Sequence, residues 1–509
     1  MIGIEKSEYK LRKQTKRPLV LASVMLAMFM GAIEATIVST AMPAVVADLG
    51  GFGLYSWIFS AYLLMNSVTV LIYGKLSDLF GRKPILTFGI IVFLIGSMLS
   101  GFASSMKTLI IFRLIQGFGA GAVMPIATTI VGDIYTKEER AKIQGYLSSV
   151  WGISAITGPA IGGLLVQYAS WHYVFWINIP LGLLSLAGLW LFLHEHVERK
   201  KHQIDYSGAI LLTVAISSLM YVLVEGGSGI SWNSPNAIAL FAVFATALIL
   251  FLFRERRAAE PVMPLSIWKE RSIFVANITS LTTGVMLIGI SSFLPAFVQG
   301  VMEQTPIVAG FTLTAMSVGW PIASAISGRL VLKLGYRVTS IIGGISLILG
   351  SIVFVTMTAE TGPYWAAAGS FFVGIGMGLT STAFIVSIQS TVSWQQRGIA
   401  TAANMFMRNL GNTIGAALLG GILNNGLLRF FSQSEKKTGV KLTVDSTNAL
   451  LKEADRGKLP DSLVQVLQNG LTVSLHSVYF VVFVFAVVSL IFVLFIPKKE
   501  EMNAQELSN

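Results

Sequence analysis

The chain has 509 residues, of which 54% are hydrophobic and 12% charged. That is about half the charged share of a soluble globular domain. The formal charge is +11 and cysteine is absent, so a disulfide framework, a thiolate metal site and a cysteine nucleophile are excluded. The apolar residues fall in long blocks, which points to lipid as the solvent for most of the chain.

A helix crosses a bilayer with roughly 20 mainly apolar residues. On that basis fourteen spans are expected, near 18–42, 55–74, 84–103, 108–132, 142–166, 172–193, 206–225, 235–253, 273–299, 306–328, 338–358, 362–388, 398–424 and 473–496. The first follows basic residues, as a signal peptide would. It is too long for a signal core and more spans follow, so it reads as a retained helix. The segment near 426–472 is mixed in charge and reads as a solvated linker, with short helices expected at 448–455 and 461–467.

Lys and Arg set the orientation. With the N-terminus inside, the cytoplasmic segments carry 26 of the 36, whereas the short outer loops carry only Lys107. Both termini are then cytoplasmic, and the basic balance needs no nucleic-acid partner. The sequence also repeats. Gly74 and Gly81 match Gly328 and Gly335, and the glycine cluster at 117–121 matches that at 374–378. The spacing from Gly121 to Arg140 equals that from Gly378 to Arg397. Two six-helix units with two helices inserted between them are expected, an arrangement that places a binding site at the interface of the halves. The expected divisions are 1–200, 201–257 and 258–509.

Charges within the spans are the main functional signal. Glu34 lies mid-span in Ile33-Glu34-Ala35-Thr36-Ile37-Val38, where a charge costs at least ~2.5–3.5 kcal/mol and marks function by default. Arg113 in Arg113-Leu114-Ile115-Gln116-Gly117 is the natural partner. Glu34 lies ~12 Å below Met42 and Arg113 ~7–8 Å below Thr108, so both fall in the outer half of the membrane. Burial favours the neutral acid and Arg113 favours the charged one, so a cycle that alters their contact loads and releases a proton. An ion pair kept only for structure is the alternative. Arg408 is the other buried base; it either lines a cavity or pairs with backbone and nearby asparagines such as Asn409. Trp57, Tyr62, Phe118, Phe293, Phe297 and Trp320 either line a cation-tolerant cavity or face lipid.

The loop after the second span reads Gly74-Lys75-Leu76-Ser77-Asp78-Leu79-Phe80-Gly81-Arg82-Lys83. The fifth span holds Gly158-Pro159-Ala160-Ile161-Gly162-Gly163, and the sixth opens with Trp171-His172-Tyr173-Val174-Phe175-Trp176-Ile177-Asn178. With the Glu34 and Arg113 stretches, these resemble the major facilitator superfamily, in particular its fourteen-span drug–proton antiporter branch. The resemblance implies an all-α integral membrane protein with the major facilitator fold. It implies that Asp78 engages the partner half and that Arg82 pairs with Asp133, latching the outward-facing state. It also implies that Gly158, Pro159, Gly162 and Gly163 form the antiporter motif between the halves; simple small-residue packing is the alternative. His172 stands where that branch commonly has Arg.

No Walker A sequence is present, and the glycine clusters lie inside spans, so neither an ATP-driven pump nor a dinucleotide site is expected. His194, Glu195, His196 and His202 lack a metal-binding frame and read as a solvated loop. The expectation is a monomeric proton-coupled exporter of drug-like solutes in the plasma membrane. It has no cofactor, no metal and no enzymatic activity, and the proton gradient is its energy source. Export of a single metabolite such as a siderophore, peptide or amino acid is the alternative.

Overall fold

The computed structural model describes residues 15–135, 137–195, 205–226, 230–258, 265–392, 397–438, 442–451 and 456–497. Lipid offers the backbone no hydrogen-bond partner, so a chain this apolar satisfies its peptide groups within helices. No β-strand occurs among the described residues. The helices are α1 (Arg17–Leu49), α2 (Tyr55–Phe80), α3 (Arg82–Gly101), α4 (Met106–Ile134), α5 (Lys137–Tyr168), α6 (His172–Trp176) and α7 (Asn178–Phe192). They continue with α8 (Tyr206–Glu225), α9 (Pro235–Arg257), α10 (Arg271–Gly300), α11 (Pro306–Val355), α12 (Gly362–Thr391), α13 (Arg397–Thr438) and α14 (Asp461–Val493).

Local chemistry fixes several starts. Ser234 and Thr305 each cap a helix whose first residue is proline, accepting from Ala237 N–H and Val308 N–H. Ser105 and Thr108 form a reciprocal capping box at the start of α4. Asp205 caps α8 and also accepts from Arg254 Nε at 2.9 Å, tying the two ends of the α8–α9 hairpin. Burial opposes its charge, but bonds from Arg254, Ser207 and Gly208 outweigh that and hold its carboxyl below the usual range.

Among the described residues twelve helices are long and apolar enough to cross a membrane. This set leaves out α2 and counts the 50-residue α11 once. Within α11 the backbone breaks at Gly335, with φ 81°. Gly81, its counterpart between α2 and α3, has φ 94°. Only glycine adopts such angles without strain, so the spacing seen in sequence marks the same turn twice.

The repeat extends to packing. A Cβ on Gly117 would lie 2.4 Å from Tyr62 O of α2, and one on Gly374 would lie 2.3 Å from Met316 O of α11. Likewise Gly89 approaches Gly119 O of α4 as Gly343 approaches Gly376 O of α12. Small residues let these helix backbones touch where lipid supplies no hydrophobic drive.

The halves meet along α1 with α10, α2 with α13, and α5 with α11. Their contacts include the end where α1 finishes and α11 begins. There Gln299 Nε2 donates to Thr40 O at 3.4 Å, and a Cβ on Gly163 would meet Pro306 O at 2.8 Å. At the opposite end Phe80 and Leu332 are exposed, and nothing crowds Gly328.

The segment after α13 is not the solvated linker read from composition. Helix α13 runs on to Thr438, Val444–Leu450 forms a 3₁₀ turn, and the expected helix at 461–467 is the first part of α14. Of the helix expected at 448–455, residues 452–455 lie outside the described residues. Leu450 and Leu467 are buried with the central core. Asp445 accepts from Gly53 N–H at 3.3 Å, and Arg456 and Gln468 both reach Glu303. Regularly placed leucines, diluted by polar residues, anchor this segment across the end of the bundle.

Candidate functional site

The charges read from sequence come together between α1 and α4. Arg113 Nη1 forms an ion pair with Glu34 Oε1. Neither side chain is more than 2% exposed, so water does not screen the pair. Arg113 Nη1 also donates to Gln116 Oε1 at 2.7 Å, and its Nε donates to Ile58 O at 3.4 Å. The guanidinium lies 4.2 Å from the centre of the Tyr62 ring, close enough for a cation–π contact.

The other carboxylate oxygen is also held. Asn178 Nδ2 donates to Glu34 Oε2 at 2.6 Å. Ser97 joins the group, accepting from Gln116 Nε2 at 3.1 Å and Asn178 Nδ2 at 3.0 Å and donating to Phe175 O at 2.7 Å. A buried charge pair is tolerable only when its remaining polar atoms are bonded, and here neutral side chains from α3, α4 and α7 do that. Asn178 reaches Glu34 from the first turn of α7.

At the other end of the bundle Arg82 Nε pairs with Asp133 Oδ2 at 3.0 Å, with side chains 28% and 52% exposed. Gly81 makes the turn before Arg82; the side chains of Lys75 and Asp78, and the surroundings of Gly74, lie outside the described residues. The first N–H groups of α3 are occupied from within the same half. Glu195 Oε1 accepts from Arg82 N at 2.8 Å and Oε2 from Lys83 N at 2.9 Å, a carboxylate at a positive helix end. Lys83 Nζ in turn donates to Leu193 O at 2.7 Å, at the end of α7. Glu195 is therefore bonded and not merely solvated. His196 and His202 lie outside the described residues.

The glycines of α5 sit at two seams. A Cβ on Gly158 would meet Thr36 Oγ1 at 2.0 Å, and one on Gly162 would meet Thr40 Oγ1 at 2.2 Å, both in α1. Across the halves, a Cβ on Gly310 of α11 would come within 2.3 Å of Pro159 O.

The sequence profile of the Major Facilitator Superfamily matches residues 24–416. The chain belongs to the Major Facilitator Superfamily. It is a membrane transporter and not an enzyme. Multidrug resistance protein 3 of Bacillus subtilis (strain 168) is 34% identical to it, over 97% of this chain and 98% of the relative. Multidrug transporter protein MdtP of the same strain is 32% identical, over 95% and 94%. The crystal structure of a bacterial homolog to the human lysosomal transporter Spinster, inward-facing and unoccupied, superposes with a TM-score of 0.67 at 15% identity. It covers 94% of this chain and 96% of that one, and it shares the major facilitator fold.

The remaining residues singled out from sequence are dispersed in this facilitator. Phe293 and Phe297 are fully buried, Phe293 stacking on Tyr55 and Phe297 packing on Tyr479. Trp57 donates from Nε1 to Glu225 at 2.9 Å, at the end of the inserted helix α8. Phe118 meets Tyr73 edge-on and is 36% exposed, and Trp320 is half-buried. Arg408 and Asn409 are half-buried on α13. His172 stacks on Trp171, whose Nε1 donates to Asp48. Sequence reasoning missed Ser97, Gln116 and Asn178 as partners of the pair. The signal available was a neutral polar residue inside an apolar span.

Proposed function

We propose that this transporter exports lipophilic, drug-like compounds across the plasma membrane in exchange for protons. In this reading it is a fourteen-helix monomer with both termini in the cytoplasm, and the proton gradient is its energy source. The halves are 1–200 and 258–509, joined by the inserted pair 201–257. The names of two full-length relatives support drug export. The observation that carries proton coupling is the buried Glu34–Arg113 pair with its bonded surroundings.

The arrangement suggests how a proton is moved. Arg113 pairs with the Glu34 carboxylate. Arg113 also contacts Gln116, Ile58 O and the Tyr62 ring, so a small swing can free the carboxylate while the guanidinium stays held. Breaking and remaking that pair in each cycle loads a proton on Glu34 and releases it. The basic, loosely packed end of the bundle is the cytoplasmic one, so this state is closed outside and open inside. In that state Arg82 pairs with Asp133 at this end, and in this reading the pair latches when the inner side closes.

Inverted membrane vesicles test this reading. Imposing an acidic lumen should drive uptake of a monocationic dye, and a proton ionophore should stop it. Uptake that ignores the pH gradient contradicts proton coupling, and no uptake of any compound in a drug panel contradicts drug export.

A further inference from the structure

The mechanism above leaves one half-buried cation within a span unused. Arg408 is half-buried within α13, and among the described residues nothing forms an ion pair, hydrogen bond or ring contact with its guanidinium. Arg113, by contrast, has a carboxylate, an amide, a carbonyl and a ring around it. An arginine within a membrane span faces the bundle interior or a watery cavity and marks a pathway for solute or ions.

The packing of α13 tells which way Arg408 faces. At 3.6 residues per turn, Phe406, Met407 and Leu410 share one side, which packs on Leu64 and Val68 of α2 and on the inserted helix α8. The side of Asn404, Gly411 and Gly415 is taken by α10: Asn404 Nδ2 donates to Asn277 Oδ1 at 3.1 Å and Ser280 Oγ at 2.8 Å, and both glycines abut α10 backbone. Between that side and α2 lie Arg408, Asn412 and Met405: Gly284 of α10 abuts the backbone of Arg408 and Asn412, and Met405 is 41% exposed. Helix α8 carries the largely exposed α9 and so marks the outer flank. This arc instead lies between α10 and α2 of the other half, where Ser67 meets Thr413 at 3.0 Å, toward the gap between the halves. One turn on from Arg408, the amide oxygen of Asn412 is buried without a hydrogen-bond partner.

We propose that Arg408 anchors a carboxylate of the transported compound, so that amphiphilic carboxylates, and zwitterions above all, are preferred over their esters. A guanidinium offers two parallel N–H donors that match a carboxylate, and desolvation strengthens that bond. The free Asn412 oxygen accepts an N–H from the same molecule. The acid of the substrate supplies the countercharge that the protein leaves out, whereas a dication meets repulsion. This rests on the drug-export reading and adds a substrate class to it.

The test is a matched pair of dyes, rhodamine B and its methyl ester, bound to the purified full chain in detergent and followed by fluorescence anisotropy. The wild type should bind the acid at least about tenfold more tightly than the ester. Arg408→Gln should weaken the acid far more than the ester and erase the preference, and Arg408→Lys should keep part of it. Equal binding of both dyes to the wild type, or an equal loss of both in Arg408→Gln, overturns the proposal. Should Arg408→Gln not fold, the wild-type comparison and Arg408→Lys decide: a preference unchanged by lysine also overturns it. Binding of the ester alone sinks this inference but leaves drug export standing, whereas binding of neither dye sinks both.

Discussion

Asn178 Nδ2 donates to Glu34 Oε2 at 2.6 Å, on the carboxylate oxygen that Arg113 leaves free. A bond of this kind to a charged group is worth ~1.5–3 kcal/mol, and Asn178→Leu leaves that oxygen without its donor. The variant should lose most of its pH-driven efflux, and Asn178→Gln, which can still donate, should keep part of it. Dye efflux and counterflow measured on the same vesicles check this; equal losses in the two variants, or an equal loss of both activities, would mean that Asn178 only packs.

The Arg82–Asp133 pair is partly solvent-exposed, at 28% and 52%. Exposed pairs contribute about 0–1 kcal/mol to stability, so its value should lie in switching. Arg82→Asp and Asp133→Arg should each slow transport, and the double swap should restore a large part of the rate with little change in thermal stability. Asp78→Asn should also slow turnover while weakening substrate affinity by no more than about threefold, below ~0.7 kcal/mol. Turnover and binding measured on the same preparations separate a latch from a substrate contact.

Gly310→Ala places a methyl group within 2.3 Å of Pro159 O across the two halves. The outer-closed state should lose population, because backbone on both sides must move apart. The chain has no cysteine, so a single introduced pair carries spin labels cleanly. Electron–electron distance measurements between the Tyr168 end of α5 and the Pro306 end of α11 should show a longer population in the variant. An unchanged distribution would show that the contact does not limit opening.

How much of this was legible in sequence depends on the kind of residue. Glu34 and Arg113 were legible because a charge in an apolar span has few explanations, and helix rise alone put both in the outer half of the membrane. Gly81 and Gly335 were legible because the turn demands glycine twice at one spacing. Ser97, Gln116 and Asn178 were not, since a neutral polar residue in a span has many uses and helix rotation decides which applies. Glu195 was hidden by a charged loop whose partners lie more than 110 positions away. The buried leucines after α13 were masked by the polar residues between them. The fifty-residue α11 shows the converse: spacing predicted two spans, and only the Gly335 torsion marks where one ends.

Charge balance sets a substrate limit. One proton entering for one monocation leaving moves no net charge, so only the pH gradient drives it, at ~1.36 kcal/mol per unit. A dication leaving against one proton carries a positive charge outward, at ~2.3 kcal/mol per 100 mV. Glu34 is the one acid in the middle of a membrane helix among the described residues, and residues 306–328 hold no Asp or Glu. Neutral, zwitterionic and monocationic lipophiles should therefore be exported well and dications poorly. Efflux of a matched monocationic and dicationic dye from energised vesicles checks this, and robust accumulation of the dication would refute it.

The central claim is that Glu34 carries the coupled proton. Glu34→Gln keeps the size and hydrogen bonding of the side chain but cannot titrate. In proteoliposomes, substrate counterflow without a pH gradient and pH-driven uphill transport are measured on the same preparation. The variant should retain counterflow and lose uphill transport entirely. Uphill transport at the wild-type rate in Glu34→Gln would contradict it.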